Sequence, residues 1–379
     1  MDRVELRTKI EAKAHELGFA LVGVARASPS SHGDALRRWI AQGKHGEMDW
    51  LADCVEERVD VRTMLRNARS VIAVADRYHD GRPDCIEPGA RGRIARYARG
   101  KDYHDLIRDR LRKLGRFIRA CVPDAQTRLT GDIHPILERE QAARALLGAI
   151  GKHTLLIRPA MGSWFMLGEI ITDADIAASD EAPRTNASSA IDETASMIRA
   201  RDESSSTRAP LDLCGSCTRC IDACPTKAIT PWSVDARRCT AYLTIEHRGA
   251  IDSEYFGITG DWWFGCDICQ EVCPHAQPTR ASKRAGINAV HAPRLDSVDL
   301  LEVLGWSESD RARLVVSSAL KRASLEMMKR NALLALASIA RSDSTLALNV
   351  RARCATIALD ESESEIVRAA ATATIDALG

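Results

Sequence analysis

Long apolar runs are missing from this sequence of 379 residues. A membrane-spanning helix needs roughly 20 consecutive apolar residues, and no stretch approaches that length, so a membrane-embedded helical protein is excluded. Residues 1–18 are rich in charge where a secretion signal would be apolar. We therefore expect a cytoplasmic protein that has no membrane partner.

A strong charge of one sign is also missing. Lys and Arg number 53 and Asp and Glu 52, which leaves a net charge of +1. Any attraction to a polyanion therefore has to come from a local patch. Aromatic residues are few, at 4%, but hydrophobic residues reach 45%. That content can fill packed cores and excludes disorder as a description of the whole chain.

Cysteine has the most informative distribution of any residue type. Of twelve cysteines, eight fall between Cys214 and Cys273. In a sequence without an export signal, such clustering indicates metal binding rather than disulfides. The other four are isolated, and we expect them to be ordinary small buried side chains: Cys54, Cys85, Cys121 and Cys354.

The clustered cysteines follow the spacing of bacterial two-cluster ferredoxins. The first run is Cys-x2-Cys-x2-Cys-x3-Cys-Pro, ending at Pro225, and the second is Cys-x2-Cys-x3-Cys-Pro, ending at Pro274, with Cys239 replacing a missing member. In that pattern the cysteine before proline binds the other cluster. The rule assigns Cys214, Cys217, Cys220 and Cys273 to one [4Fe-4S] cluster, and Cys224, Cys239, Cys266 and Cys269 to the second. Two four-cysteine zinc sites are the alternative, although zinc modules usually keep two separated Cys-x2-Cys pairs.

An electron relay needs an acceptor, which residues 1–175 have to provide. Flavin, nicotinamide and corrinoid are candidates, but no strand-turn-helix G-x-G-x-x-G occurs there. The Asp-x-His sequences ending at His104 and His134 do not extend to D-x-H-x-x-G, because Ile107 and Leu137 replace the glycine. The C-x3-C-x2-C spacing of radical SAM enzymes is absent too. The residues alone leave the acceptor open.

Helical and strand patterns alternate in the first 175 residues. Helices are predicted over 7–17, 105–120 and 137–150, and strands over 19–25, 71–75, 154–158 and 164–171. The economical interpretation is an α/β or α+β domain. Beyond Leu300 the pattern is helical, and three similar Ala-rich segments at 330–336, 353–359 and 367–375 predict stacked HEAT-like helices.

Composition divides the chain into four parts. Between Asp173 and Ser206 there are eight acidic and three basic residues with little apolar periodicity, which indicates a solvated linker or flexible insertion. We predict an N-terminal catalytic domain over 1–175, a flexible acidic insertion over 176–210, a ferredoxin-type domain with two [4Fe-4S] clusters over 211–295, and a HEAT-like helical domain over 296–379.

The order of motifs resembles one family, the epoxyqueuosine reductases, which are cobalamin-dependent iron-sulfur enzymes of the last step of queuosine synthesis in tRNA. The matching segments span nearly the whole chain in the family's order: 46–51, 95–104, Asp132 with 135–139, 151–157, 162–169, 214–225, 239–249 and 329–331. They are more specific than the cysteine runs, which many redox proteins share.

The resemblance implies that residues 1–175 bind cobalamin base-off, without a histidine on the cobalt. It also implies that cob(I)alamin, fed by the two [4Fe-4S] clusters, reduces epoxyqueuosine to queuosine. Asp132 stands at the family's proton-donor position. A carboxyl group can donate a proton at neutral pH only if its pKa is raised, so this role requires that burial near the corrin raise the pKa of Asp132.

Further positions match the family's cobalamin contacts. They are Arg58, Ala95, Tyr97, Asp132, His153 and Thr154, and more loosely Ser163 and Leu167. Because the relay requires a cluster near the corrin, we also expect Asp267, next to Cys266, to touch the cofactor.

Two basic stretches are the expected contacts with tRNA carrying epoxyqueuosine. Residues 91–119 hold eleven basic and three acidic side chains, and residues 311–353 hold nine basic and two acidic. Phosphate contacts give an affinity that falls with salt, while a splayed-out modified base gives specificity. The resemblance further implies an external low-potential electron donor and a monomeric protein.

Two alternatives stay open at this point. One is a corrinoid iron-sulfur reductase of a small molecule, similar to the reductive dehalogenases, and the other is an electron carrier without catalysis. Corrinoid uptake separates the carrier from both reductases, and nucleoside analysis of treated tRNA separates the two reductases.

Overall fold

The computed structural model describes residues 1–181, 212–278 and 287–379. Helices and strands are mixed, as predicted. The α-helices are α1 Arg3–Glu16, α2 Gly33–Ala41, α3 Trp50–Asp53, α4 Val55–Val59, α5 Tyr103–Cys121, α6 Glu138–Arg144, α7 Arg219–Asp222, α8 Thr240–Ile245, α9 Ile268–Glu271, α10 Leu300–Val303, α11 Glu308–Leu314, α12 Leu325–Ile339, α13 Ser344–Leu359 and α14 Glu365–Leu378. The strands are β1 Leu21–Arg26, β2 Ser70–Arg77, β3 Arg91–Ile94, β4 Thr127–Thr130, β5 Ala149–Ile150, β6 Leu156–Ile157, β7 Phe165–Thr172, β8 Ile229–Thr230, β9 Ser233–Val234, β10 Trp262–Phe264 and β11 Ser297–Asp299.

The main sheet has the strand order β1-β2-β7-β4, and every neighbouring pair is antiparallel. Side chains of a strand alternate between the two faces. Ile72 and Val74 pack against α1 and α5 on one face, whereas Ala73 and Ala75 pack against α6 on the other. The N-terminal part is therefore of the α+β type, because its sheet is antiparallel and covered by helices on both faces.

A second sheet joins distant parts of the chain. Its central strand is β3, which pairs in parallel with β10 and antiparallel with β11. These strands come from three of the four predicted parts of the sequence. The hydrophobic core beside them is also shared, because Ile94, Trp263, Leu300 and Leu333 belong to one buried cluster. This sheet holds the cysteine-rich segment against the N-terminal part.

The C-terminal helices surround a buried central helix. Most of α12 is inaccessible to solvent, and Thr374 of α14 donates a hydrogen bond to the Leu333 carbonyl at 3.1 Å. Arg330, which is 0% exposed, donates to the carbonyls of Leu243 at 2.7 Å, His247 at 2.9 Å and Gly249 at 2.6 Å. A buried guanidinium therefore ties α12 to the cysteine-rich segment.

Three predictions of local structure are corrected. The helix expected over 137–150 ends at Arg144, because Leu146 adopts a φ of 62° and the chain then forms strand β5. The strand expected over 154–158 contains only Leu156–Ile157, since Thr154 has a φ of 69°. Residues 176–181, placed in the flexible insertion, begin with a packed segment in which Ile176 is 0% exposed; residues 182–211 lie outside the described residues.

Two further expectations concern the isolated cysteines and membrane-spanning helices. Cys354 is buried, as predicted, but Cys85 is exposed and Cys54 and Cys121 are partly exposed, so burial does not account for all four isolated cysteines. Among the described residues, no helix combines the length and the apolar character that crossing a membrane requires.

Candidate active site

Asp132 lies in the turn that follows β4, beside the first turn of α5. The Tyr103 hydroxyl donates a hydrogen bond to Asp132 Oδ2, and His104 Nε2 lies 3.1 Å from Asp132 Oδ1. The Tyr103 and His104 rings are stacked, with their centroids 4.1 Å apart. The start of one helix thus presents two polar groups to one carboxylate.

A second carboxylate holds the other side of the His104 imidazole. Asp102 caps α5 by accepting a hydrogen bond from the His104 backbone N–H, and its Oδ1 lies 2.6 Å from His104 Nδ1. Lys321 Nζ donates to Asp102 Oδ2 at 2.5 Å. Lys321, Asp102, His104 and Asp132 therefore form one chain of charged hydrogen bonds, which fixes the orientation of the imidazole.

The pKa shifts in this arrangement favour a proton on His104 over one on Asp132. Burial lowers the pKa of His104, but the hydrogen bonds and charges of Asp132 and Asp102 outweigh burial, and the pKa is raised. Burial raises the pKa of Asp132, but the bond and charge of His104 and the Tyr103 hydroxyl outweigh it, and the pKa is lowered. The residues around Asp132 therefore do not raise its pKa as the donor role requires, because the neighbouring imidazole reverses the effect of burial.

Asp132 occupies a cleft that other predicted contacts also approach. Its side chain keeps 38% of its surface accessible. Both Arg58 and Asp132 lie near enough to Glu138 for their charges to change its pKa, which Arg58 lowers and Asp132 raises. Arg139 Nη1 donates to the Thr154 carbonyl at 2.9 Å. The structure therefore brings Arg58 and Thr154 to the segment that follows Asp132.

Several of the buried polar atoms that have no hydrogen-bond partner among the described residues belong to segments near Asp132. They are Arg58 Nε, His134 Nδ1 and Glu138 Oε1, and His153 Nε2 is another, on a residue that also lines the first cysteine cavity. Burial lowers the pKa of His153 to about 4, and its Nδ1 accepts from the Leu155 N–H at 3.2 Å, so Nε2 carries the hydrogen of a neutral ring. Buried polar groups are nearly always paired. Their collection here fits a large polar ligand with donors and acceptors, such as the amide side chains of a corrin.

Three other predicted cobalamin contacts, Ser163, Asp267 and Leu167, do not offer an unpaired polar group to a ligand. The Ser163 hydroxyl donates to Gln270 Oε1 at 2.9 Å. Asp267, 1% exposed, accepts from the Arg96 N–H at 2.8 Å and from Gln270 Nε2 at 3.0 Å. The polar groups of Ser163 and Asp267 are thus already paired inside the protein. Leu167 lies on β7, partly exposed, on the face that packs against α6.

The first predicted cysteine set lines one cavity. A space of about 40 Å³ is bounded by all four members, together with His153, Leu213 and His275: Cys214, Cys217, Cys220 and Cys273. Lys152 supports the loop from the N-terminal part, because its backbone N–H contacts Cys214 Sγ at 3.4 Å and its Nζ donates to the Gly215 carbonyl at 2.6 Å. Cys273 thus joins the triple of the first run, as the crossing rule predicts.

The second predicted set also comes together. Burial raises the pKa of Cys266 and Cys269 well above the ordinary thiol value, and the charges of neighbouring cysteines raise it further. The charge of Cys239 raises the pKa of both thiols. The charge of Cys224 raises the pKa of Cys269 and that of Cys239. Four thiolates can share such a buried space only if positive metal charge compensates them.

The second cysteine set adjoins the Asp132 cleft. Gly265, which precedes Cys266, approaches Ala95 and Tyr97 so closely that a Cβ on the glycine would lie 2.5 Å from Ala95 Cβ. The Tyr97 ring contacts the Tyr103 ring edge-on, with the centroids 6.0 Å apart, and Tyr103 holds Asp132. Ala95 and Tyr97 therefore stand between this cysteine set and the acidic group.

Several residues of the site were missed by the sequence analysis. Tyr103, His104 and Lys152 lie inside segments that match the family, but no spacing rule marked them. In the sequence, nothing distinguishes Glu138 from an ordinary helix position or Glu169 from an ordinary strand position. The signal for His104 was the Asp-x-His sequence that starts at Asp102, which the sequence analysis tested only as part of a D-x-H-x-x-G motif.

The two basic stretches are not continuous surface patches. Arg96 and Arg99 are buried and pair with Asp84, and Arg110 pairs with the buried Asp76. Arg330 is fully enclosed. Exposed basic side chains nevertheless remain in both stretches. In the first they are Lys101 and, on α5, Arg108, Arg112, Lys113, Arg116 and Arg119, and in the second they are Arg313, Lys321, Arg322, Arg341, Arg351 and Arg353.

Two family models match parts of this chain. Residues 58–132 match the family model described as Epoxyqueuosine reductase QueG, DUF1730, and residues 213–276 match the 4Fe-4S double cluster binding domain. The chain therefore carries two [4Fe-4S] cluster sites.

Full-length relatives share one description. The epoxyqueuosine reductase of Xanthomonas campestris pv. campestris is 36% identical over 353 residues, which cover 91% of this chain and 90% of that protein. That of Escherichia coli K12 is 33% identical, covering 89% and 82%. A crystal structure of an epoxyqueuosine reductase with an epoxyqueuosine-modified tRNA-Tyr stem loop has a TM-score of 0.77 and 25% identity, covering 99% and 90%. By these similarities, the chain belongs to the epoxyqueuosine reductase family.

Proposed function

We propose that this oxidoreductase reduces epoxyqueuosine in tRNA to queuosine. The observation that carries the proposal is the position of the Asp132–His104 pair, in a cleft whose wall leads through Tyr97 to the cysteine set of Cys266. The pair that holds the proton therefore lies near the cysteines that we propose as ligands of an electron-supplying cluster. The relative solved with a modified tRNA stem loop supports the same substrate for this chain.

The cofactors follow from the same arrangement. We propose Cys214, Cys217, Cys220 and Cys273 as ligands of one [4Fe-4S] cluster, and Cys224, Cys239, Cys266 and Cys269 as ligands of the other. Cobalamin, base-off, is proposed for the Asp132 cleft, where it supplies a strongly reducing cobalt nucleophile. Arg58 Nε and His153 Nε2 offer it unpaired donors, while Ala95, Tyr97, Thr154 and Leu167 provide its walls.

The protein's own part in the reaction is proton supply. Removing an epoxide oxygen breaks two C–O bonds, forms one C=C bond, and consumes two electrons and two protons as the oxygen leaves as water. Because His104 holds the proton at rest, we propose that it protonates Asp132 as negative charge develops on the departing oxygen. Asp132 then delivers that proton, and Tyr103 and Asp102 keep the pair aligned.

The remaining parts receive roles in the same scheme. We propose residues 1–175 as the catalytic part, 211–295 as the electron relay and 296–379 as a HEAT-like part that contacts tRNA together with the exposed face of α5. The electrons come from an external low-potential one-electron donor, and the protein acts as a monomer.

A conversion assay tests the proposal. The protein, purified without oxygen, reconstituted with iron, sulfide and cobalamin and chemically reduced, is incubated with tRNA that carries epoxyqueuosine, and the digested nucleosides are identified by mass. We expect queuosine to form, about eight irons per chain, and a corrinoid absorption band. Omission of cobalamin is the control. Iron without corrinoid uptake, or unchanged epoxyqueuosine with the fully loaded enzyme, would refute the proposed function.

A further inference from the structure

Two glutamates lie behind Asp132 and take no part in the chemistry described so far. Glu138 begins α6, shortly after the Asp132 turn. Glu169 lies on β7 directly opposite Thr130, the last residue of β4 before that turn. The three carboxyl groups therefore come from adjoining elements.

The sheet directs Glu169 toward the layer in which Glu138 lies. Residues two apart on a strand point to the same face, so Glu169 shares the face of Leu167. That face packs against α6, since Phe165 and Leu167 contact the cluster that contains Ala142. The first residue of α6 is Glu138, so both acids belong to the same interior layer.

Buried carboxyl oxygens of both glutamates have no hydrogen-bond partner among the described residues. Glu169 is 0% exposed; its Oε2 accepts from Thr130 Oγ1 at 3.3 Å, and its Oε1 is buried without a partner among the described residues. Glu138 is partly exposed as a residue, but its Oε1 is buried without a partner among the described residues. Burying an unpaired carboxylate oxygen is unfavourable and favours the protonated acid.

The surrounding charges act in both directions on Glu138, and burial outweighs them. The groups facing Glu138 are Asp132, which raises its pKa, and Arg139, His104 and Arg58, which lower it; burial is the largest effect, and the pKa of Glu138 is raised to about 8. Burial is also the largest effect on Glu169, and together with the charges of Glu138 and Asp132 it raises the pKa of Glu169 well above its ordinary value. The environment of each acid therefore favours its protonated form.

We propose that Glu138, with Glu169 behind it, is a proton store that recharges the Asp132–His104 pair during turnover. The inference rests on the proposed function, because it concerns the second of the two protons that epoxide reduction consumes. The first comes from the Asp132–His104 pair. Glu138 then gives its proton to Asp132 by way of the solvent that reaches the cleft, becomes a carboxylate, and is reprotonated from bulk water. The two electrons come from the external low-potential donor through the clusters.

Glu169 has a supporting part in this scheme. It is closed to solvent, so it does not exchange protons with the cleft directly. As a neutral acid, Glu169 adds no negative charge beside Glu138, and Glu138 can therefore ionise when it gives up its proton. Glu138 acts through Asp132, so its test needs a readout that a purely structural role would leave unchanged.

The pH dependence of conversion provides that readout. Rates are compared for the loaded wild-type enzyme, Glu138→Gln and Glu138→Asp. The wild-type rate should fall as pH rises through about 8, because Glu138 loses its proton there. Glu138→Gln should be roughly tenfold or more slower at pH 7 and should lack that fall, whereas Glu138→Asp should retain part of both. Glu56→Gln, which removes an exposed carboxylate on α4, is the matched control and should follow wild type.

An infrared measurement tests the protonation without turnover. The carbonyl band of a neutral carboxylic acid should be present at pH 7 in the wild-type protein, should titrate near pH 8, and should lose intensity in Glu138→Gln. Two results would overturn the proton store without affecting the proposed function. One is a Glu138→Gln variant whose conversion rate depends on pH as in wild type, and the other is a carbonyl band that this substitution leaves unchanged. Failure of the wild-type enzyme to convert epoxyqueuosine would instead refute the proposed function.

Discussion

The neighbours of Asp132 determine which chemistry its carboxyl group can perform. Tyr103 and His104 both direct hydrogen toward it, so it rests as an acceptor and becomes a donor only after a proton has moved from His104. Asp102 and Lys321 fix His104 from the other side. The reactive proton is thus shared within a pair, and the pair rather than either residue should titrate.

Replacing Asp132 by Asn tests this sharing. Asn keeps the size of the side chain but cannot deliver a proton, so conversion should fall by about 100-fold or more. The pKa of His104 should also fall, because one of the two carboxylates that raise it is removed. NMR titration of the His104 ring measures that shift. A His104 pKa that stays where it is in wild type would contradict the pairing, and Glu56→Gln serves again as the unaffected control.

Some residues of the site could be predicted from the sequence, and others could not. The eight clustered cysteines stand at spacings that the chemistry constrains, so the sequence could predict them, whereas Asp132 was predicted only through the family resemblance. His104 and Glu138 owe their roles to neighbours from other elements, and a sequence shows no such proximity. The direction of the Asp132 pKa could not be predicted for the same reason, since it depends on a histidine that only the fold brings near.

Among the elements, β7 is the one on which the site depends most. It lies between β2 and β4 in the sheet and carries Glu169 and Leu167 on one face. The other face receives α5, which presents Tyr103 and His104. Gly168 is the point of closest approach, because a Cβ there would lie 2.9 Å from Ile107 Cγ2 and 3.0 Å from Leu111 Cδ1.

Gly168→Ala should therefore move or loosen α5. The added methyl group overlaps two buried side chains of that helix, and overpacking of this kind costs about 1–3 kcal/mol. We expect a lower midpoint of unfolding and slower conversion, because the start of α5 holds Asp132. Gly305→Ala is the control, since its nearest contact would be an ordinary 3.5 Å. Equal stabilities of the two variants in denaturant titrations would argue against close packing at Gly168.

The existence of elements was easier to predict than their ends. The strands and helices with strong periodicity, such as β2 and α5, appear where the pattern places them. The helix expected over 137–150 stops early because Leu146 adopts a left-handed backbone conformation, which leucine disfavours and which its sequence therefore does not announce. Tertiary packing determined that turn.

For the whole molecule, the crossing cysteines make a quantitative prediction. Cys273 belongs to the second run but lines the cavity of the first, so Cys273→Ala should remove iron from that cluster, leaving roughly four of about eight irons per chain. Cys224→Ala should deplete the other cluster to a similar extent. Iron analysis together with electron paramagnetic resonance of the reduced protein distinguishes the two losses. Cys85→Ala, at an exposed position, should keep full iron; loss of the same cluster in both ligand variants would disprove the crossing.

The three-stranded sheet determines when during synthesis the protein can become functional. Roughly 170 residues separate β3 from β10, so at 5–20 residues per second the ribosome needs about 10–35 s to supply the partner of a strand already made. Until then Ala95 and Tyr97, which follow β3, lack their contacts with Gly265 of the cysteine-rich segment. The electron path and the acid pocket are consequently completed in the same late step, and a nascent chain cannot acquire one without the other.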